Sequence, residues 1–145
     1  MLAISLHATN DTLREQIMPI NKKWNIESLL KACQHYQEQT GRRVTFEYIL
    51  LDGVNDSVDE AHELVRLLSG THSHVNLIPW NPIEGVEYRR SRPARVRAFQ
   101  EVVDASGIKC TVRQEKGSDI AAACGQLRLS DLGGLAKPRK ARVSK

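Results

Sequence analysis

The feature that most constrains this chain is an alternation. Short runs dense in branched and aromatic residues take turns with longer segments whose apolar residues recur at helical spacing. "LAISLHA" (2–8) is mostly apolar, as a strand buried on both faces would be. "RVTFEYILL" (43–51), "HVNLIPW" (74–80) and "IKCTVR" (108–113) read as the next three strands. Between them "NDTLREQIM" predicts a short helix stopped before Pro19. Ile26, Leu29, Leu30, Cys33 and Tyr36 predict a second helix over about 26–40, ended by Gly41. "SVDE" (57–60) fits a capping box, with Ser57 and Glu60 three residues apart. The helix behind it is expected to bury Val58, Ala61, Leu64, Val65 and Leu68. A last helix over about 92–106 turns Val96, Phe99, Val102 and Val103 inward. This order calls for a parallel α/β sheet or part of a barrel. Four strands fall short of the eight of an ordinary closed barrel, which suggests a partial domain, although an open sheet could be complete with them.

The 145 residues suffice for about one domain, and 41% hydrophobic with 26% charged residues is the balance of an ordinary globule. No apolar run approaches the ~20 residues of a membrane helix. The start, "MLAISLHATN", lacks the charged and apolar regions of a signal peptide. Cysteines 33, 110 and 124 are widely spaced and odd in number, which argues for a reducing cytosol over a disulfide framework. Cys33 and Cys110 read as packing residues. The sequons at Asn10 and Asn55 both fall where a helix should begin, and capping explains them better than glycosylation. Five of the 21 bases lie in "KPRKARVSK", the last nine residues, with no acid among them. Such a tail either reaches for polyanions or only solubilises a disordered end.

In parallel α/β folds the working groups sit beyond the carboxyl ends of strands. That rule selects Ser5, His7 and Asn10 after the first strand, Glu47, Tyr48 and Asp52 near the second, Trp80 and Asn81 after the third, and Lys116, Ser118, Asp119 and Cys124 after the fourth. Singly, His7 is a satisfied polar residue or Asn81 a turn former as readily as a ligand. Gathered at one end of a sheet, they define a pocket. Cys124, in "SDIAAACGQL", is either a small buried hydrophobe or a nucleophile, and its spacing leaves both readings open.

"YRRSRPARVR" (88–97) places Arg89, Arg90, Arg92, Arg95 and Arg97 around a helix start. Cations there oppose the macrodipole, so an anionic partner such as phosphate competes with the ordinary reading of a solvated face. Metal binding is weakly supported: no pair of cysteines is spaced C-x-x-C, and "HSH" (72–74) reads as a turn before a strand. There is no glycine-rich phosphate loop.

"SLHATND", "MPINKKW", "LLDGVND", "NLIPWNP" and "DIAAACGQL", in this order, resemble the carboxyl-terminal half of the radical S-adenosylmethionine enzymes that methylate carbon 2 of adenine in 23S rRNA and in certain tRNAs. A close relative of that family methylates carbon 8. The resemblance spans about residues 2–129. It implies an incomplete parallel α/β barrel, S-adenosylmethionine, a [4Fe-4S] cluster fed by an external reductant, and 23S rRNA and tRNA as partners, and the cysteine pattern sets the expected location as cytoplasmic. By motif, Ser5, Leu6, His7 and Asn81 would contact S-adenosylmethionine, and Cys124 would carry a methyl group. Its thiolate would take the methyl from one S-adenosylmethionine; a radical made from a second would remove a hydrogen from it, and the carbon would add to adenine. An electron-poor ring carbon is no nucleophile, so a thiolate relay suits the chemistry. Gly125 would allow close approach beside it.

The family's CxxxCxxC cluster motif is absent, as are its upstream glycine-glutamate motif, its second cysteine and its amino-terminal RNA-binding region. The expectation is therefore a partial barrel with a methyl-carrying cysteine loop over 1–129 and a basic tail over 130–145. No metal ligand is expected in this chain, and no activity from it alone. The competing reading is a non-catalytic RNA-binding remnant.

Overall fold

The computed structural model describes residues 2–113. Strands β1 (Leu2–Ser5), β2 (Val44–Leu50), β3 (Ser73–Pro79) and β4 (Lys109–Val112) form one sheet in that order. Every pairing is parallel. Helix α1 (Asp11–Ile17) and a 3-10 turn (Pro19–Lys22) follow β1, and α2 (Ile26–Thr40) leads into β2. Helices α3 (Val58–Leu68) and α4 (Pro93–Ala105) complete the crossovers. The expected element order is the observed one. Among the described residues, no helix is long and apolar enough to cross a membrane.

Strands that neighbour in space as in sequence, joined by right-handed crossovers, put their helices on one face. The main core lies there. Val44, Phe46, Tyr48 and Leu50 of β2 and Val75 and Leu77 of β3 meet Ile26 and Cys33 of α2, Leu64 and Leu68 of α3, and Phe99 and Val103 of α4. The Tyr48 and Phe99 rings pack 5.2 Å apart. Alternation sends Thr45, Glu47, His74, Asn76 and Thr111 to the other face. Toward the carboxyl ends that face turns apolar, where Ile49, Leu51, Ile78 and Trp80 pack with Ala8, Ile17 and Met18. Cys33 and Cys110 are buried, free thiols. Burial pushes the Cys110 thiol up to about 12, with Asp104 adding to the effect, so both cysteines are packing residues as read from sequence.

Four sequence expectations need correction. β1 stops at Ser5 and is only half-buried, because it is paired on one side alone among the described residues. Val58 is exposed: the helical phase that buries Ala61, Leu64 and Leu68 leaves the first residue of α3 outside. The capping box is half formed. Ser57 Oγ accepts from the Glu60 amide at 3.1 Å, while the Glu60 carboxylate accepts from Thr9 Oγ1 at 3.0 Å instead of returning to the cap. Finally, β3 begins at Ser73, one residue before the strand read from sequence, so only His72 of "HSH" precedes it. Asn10 does cap α1, its Oδ1 accepting from the Leu13 amide at 2.8 Å. Gly41 closes α2 at φ 69°, a conformation that glycine adopts without strain, and its amide reaches the Gln37 carbonyl.

Leu64→Ala should lower the unfolding free energy by about 2–5 kcal/mol, the range for emptying a filled core site. Val58→Ala should stay within about 0.5 kcal/mol. Urea titration of the two variants checks the phase of α3.

Candidate functional site at the carboxyl edge of the sheet

The chain leaves the sheet abruptly after β1. His7, buried, adopts φ 63°, and it is the one non-glycine residue among those described with a left-handed backbone. Such a conformation costs on the order of 1–3 kcal/mol and persists only where the surroundings impose it. The ladder bond Leu6 N–H to Glu47 O is still made, at 2.9 Å. In a continued parallel ladder the Ile49 amide would next donate to the Leu6 carbonyl. It donates instead to His7 Nδ1, at 3.0 Å. The imidazole is therefore neutral with its proton on Nε2. Burial, with Arg14 second, brings its pKa down to about 3.

Asn55 supplies what the missing strand would have supplied next. Its Nδ2 donates to the Ile49 carbonyl at 2.7 Å, and its Oδ1 accepts from the Leu51 amide at 2.8 Å. A side-chain amide thus stands in for a peptide unit of β1. The same Nδ2 holds the His7 carbonyl at 2.8 Å, and the Tyr48 hydroxyl donates to the Asn55 carbonyl at 2.9 Å. Asn55 is fully buried and caps no helix, which corrects the sequence expectation. Sequence reasoning missed its role, although a signal was present: Ser57 already fills the cap of α3.

The Leu6 carbonyl stranded by this exit, and the Ser5 carbonyl on the other edge of β1, are met by a buried cation. Arg14 of α1 donates Nε to Leu6 O at 2.9 Å, Nη2 to Ser5 O at 2.8 Å and Nη1 to Asn21 Oδ1 at 2.9 Å. Asn21 in turn donates to Asp11 Oδ1, which also accepts from the Ile26 amide. Burial draws the Arg14 pKa below its ordinary value, and the Asp11 carboxylate works against that.

The loop 51–56 also grips the segment after β3. Asp56 accepts from Ser91 Oγ at 2.7 Å, Arg95 Nη2 at 2.8 Å and the Gly53 amide at 3.1 Å. Burial pushes this carboxyl up, but those partners outweigh it and hold it below its usual range. Leu51 bridges to Arg90, and the Asp52 amide donates to the Arg89 carbonyl. Arg90 Nη1 then reaches Asn81 Oδ1 at 3.0 Å. His7 and Asn81, which follow strands separated by β2, are thereby tied to one loop.

The remaining candidates fall into place around this loop. Ser5 is half-buried with its carbonyl on Arg14, and the Leu6 side chain is wholly in the core, so Leu6 has only its backbone to offer a ligand. Asn10 serves as a cap, and Tyr48 is a core residue. Glu47 lies 3.7 Å from Arg113, and Asp52 3.8 Å from Arg89. Thr111 Oγ1 links His74 Nε2 and Asn76 Oδ1 on the open face. Trp80 is buried, with its indole N–H lacking an acceptor among the described residues. Lys116, Ser118, Asp119 and Cys124 lie outside the described residues.

The residues at the strand ends fit a ligand that offers a hydrogen-bond acceptor. A buried indole donor without an acceptor sits one residue from Asn81, and buried donors ordinarily have partners. They do not fit an iron–sulfur cluster: among the described residues no three His, Cys, Asp or Glu side chains gather to hold a metal, and both thiols are buried.

No protein-family model matches the chain. Its solved neighbours place the fold. A crystal structure of a radical SAM methyltransferase from Sphaerobacter thermophilus superposes with TM-score 0.82 at 52% identity, over 86% of this chain and 37% of that one. A domain of pyruvate-formate lyase-activating enzyme from Bacteroides vulgatus shares the fold at TM-score 0.65 and 17% identity. The sheet is thus part of the incomplete parallel α/β barrel of radical SAM proteins. More particularly, the chain is 54% identical over 127 residues to a "Probable dual-specificity RNA methyltransferase RlmN" of Caldanaerobacter subterraneus subsp. tengcongensis. It is 55% identical over 128 residues to the protein of that name in Symbiobacterium thermophilum. Each match takes in 88% of this chain, which spans 37% and 34% of the two relatives. Across most of its length, then, the chain is homologous to about a third of the length of the relatives named RlmN.

Asn55→Ala removes three buried side-chain bonds and should destabilise by about 3 kcal/mol or more, since each stranded group costs about 1–3 kcal/mol. Asn10→Ala, losing an exposed cap, should cost about 1 kcal/mol. Chemical denaturation distinguishes the two. His7 makes a separate prediction. The unfolded chain takes up its proton near pH 6.5 and the folded chain near pH 3, so this contribution is intact above 6.5 and is lost as pH falls toward 3. Between about pH 7.5 and about pH 5, the folding constant should fall by roughly tenfold for each unit well below 6.5. His7→Asn should flatten that part of the slope.

Proposed function

We propose that this chain is the substrate-side part of a radical SAM methyltransferase that modifies carbon 2 of adenine in 23S rRNA and in tRNA. The observation that carries the reading is the identity of more than half of the aligned residues with proteins named RlmN, over nearly the whole β1–β4 unit and its helices. In this reading Ser5, Leu6 and His7 present the turn after β1 to S-adenosylmethionine, and Asn81 meets it from the loop after β3. Bound S-adenosylmethionine supplies the methyl group, and Cys124 is the thiolate that receives it. Arg14 and Asn55 act at one remove. They satisfy the backbone groups left by the turn at His7, so the Ser5–His7 segment keeps one conformation without help from a ligand.

The three cysteines have no CxxxCxxC spacing. The chain alone therefore builds no [4Fe-4S] centre, and methyl transfer requires cluster ligands from elsewhere, along with an external reductant. Ribosomal and transfer RNA are the proposed partners.

The test is mass spectrometry of the endogenous protein, captured through a carboxyl-terminal tag. The expected result is an intact mass well above 16.3 kDa and a Cys124 peptide carrying one additional methyl group. An intact mass near 16.3 kDa with unmodified Cys124 would overturn the reading in favour of a non-catalytic remnant.

A further inference from the structure

The arginine run is only partly consumed by the fold. Arg95 is bound to Asp56, Arg89 lies near Asp52, and Arg90 reaches Asn81 and the Trp80 carbonyl. Arg97 is exposed and has no hydrogen-bond or ion-pair partner among the described residues. It faces a cleft of about 430 Å³ between the carboxyl ends of β3 and β4 and the start of α4. Arg90, Arg97 and Arg113 line this cleft together with Ser91 and Gln100, and among the described residues no carboxylate lines it.

Three further observations define what the cleft suits. The first turn of α4 contains no acid and its cap residue, Arg92, makes no side-chain capping bond; the carboxylate beside that turn, Asp56, is bound to Ser91 and Arg95. The nearby carboxylates are already engaged, Asp56 by Arg95 and Ser91, and Glu47 by Arg113. Cations clustered at a helix start also oppose its dipole, a cost that a bound anion would remove. Guanidinium groups converging on a site without carboxylates match the oxygens of a phosphate.

We propose that this cleft binds a backbone phosphate of the RNA substrate, with Arg97 as its principal contact. The inference rests on the RNA reading above and adds the surface that holds the strand. The cleft opens at the same carboxyl edge as His7 and Asn81, and β4, whose end lines it, runs on in sequence toward Cys124. A phosphate held there anchors the strand beside the reacting groups without reading its sequence.

The experiment is fluorescence anisotropy of a labelled RNA stem-loop with the 145-residue chain over a series of salt concentrations. It compares wild type, Arg97→Ala and Arg66→Ala. Arg66 is an exposed arginine of α3 away from the cleft, so its variant controls for the loss of one charge. Circular dichroism confirms that each variant folds. Arg97→Ala should bind several-fold more weakly, and its log–log salt slope should be shallower by about 0.7–0.9, the share of one phosphate contact. Arg66→Ala should match wild type. If wild type binds and the two variants behave alike, the cleft is not the phosphate site and the RNA reading stands. If wild type shows no salt-dependent binding, the cleft proposal falls together with the RNA partner.

Discussion

The structure depends on how β2 is finished once β1 leaves it. A parallel strand that loses its neighbour exposes a row of backbone donors and acceptors, and burying them unpaired is expensive. Two side chains complete the row: His7 Nδ1 takes the Ile49 amide, and Asn55 takes the Ile49 carbonyl and the Leu51 amide. Both residues are buried. With β2 sealed in this way, the backbone at residues 7–9 is free to turn out of the sheet and begin α1. The left-handed backbone at His7 is the strain that this exit requires, and Asn55, holding the His7 carbonyl, keeps it in place.

Buried charge follows the same logic. Arg14 is enclosed because three oxygens converge on it, two of them carbonyls: that of Leu6, released from the ladder to β2, and that of Ser5, on the other edge of β1. Asp56 is enclosed because it gathers a guanidinium, a hydroxyl and an amide. Neither would be tolerable alone in the interior. Together they turn loops that would otherwise be mobile into a fixed frame at the carboxyl edge, which is where a catalytic surface needs rigidity. The loop 51–56 is the common member, since it holds the turn after β1 on one side and the segment after β3 on the other.

Much of this was legible in the sequence, and the remainder was not for a definite reason. Helix α2 could be read from the phase of Ile26, Cys33 and Tyr36, because amphipathic period is a property of neighbours. The strand-end rule put His7 and Asn81 just past β1 and β3, where they lie, but gave none of the bonds they make. Asn55 was read as a cap because Asn before a helix usually is one; a partner 48 residues away, at His7, outweighed the local preference. Glu60 forms half a capping box because Thr9, 51 residues away, offers it a better-placed hydroxyl. The arginine run looked like a single anion site, yet Arg95 belongs to Asp56, 39 positions earlier.

The sequence by itself determined the order of elements, the parallel α/β class, the packing role of Cys33 and Cys110, and the resemblance to a radical SAM methyltransferase. Those properties rest on hydrophobic period, composition and ordered motifs, all of which are written along the chain. Only the tertiary structure decided that Asn55 replaces a strand, that Arg14 is interior and that Arg97 fronts a cleft. Each of these depends on which backbone groups the sheet leaves unpaired and which distant side chains the crossovers bring to them. A linear pattern contains the side chains, but their partners exist only after the strands have met.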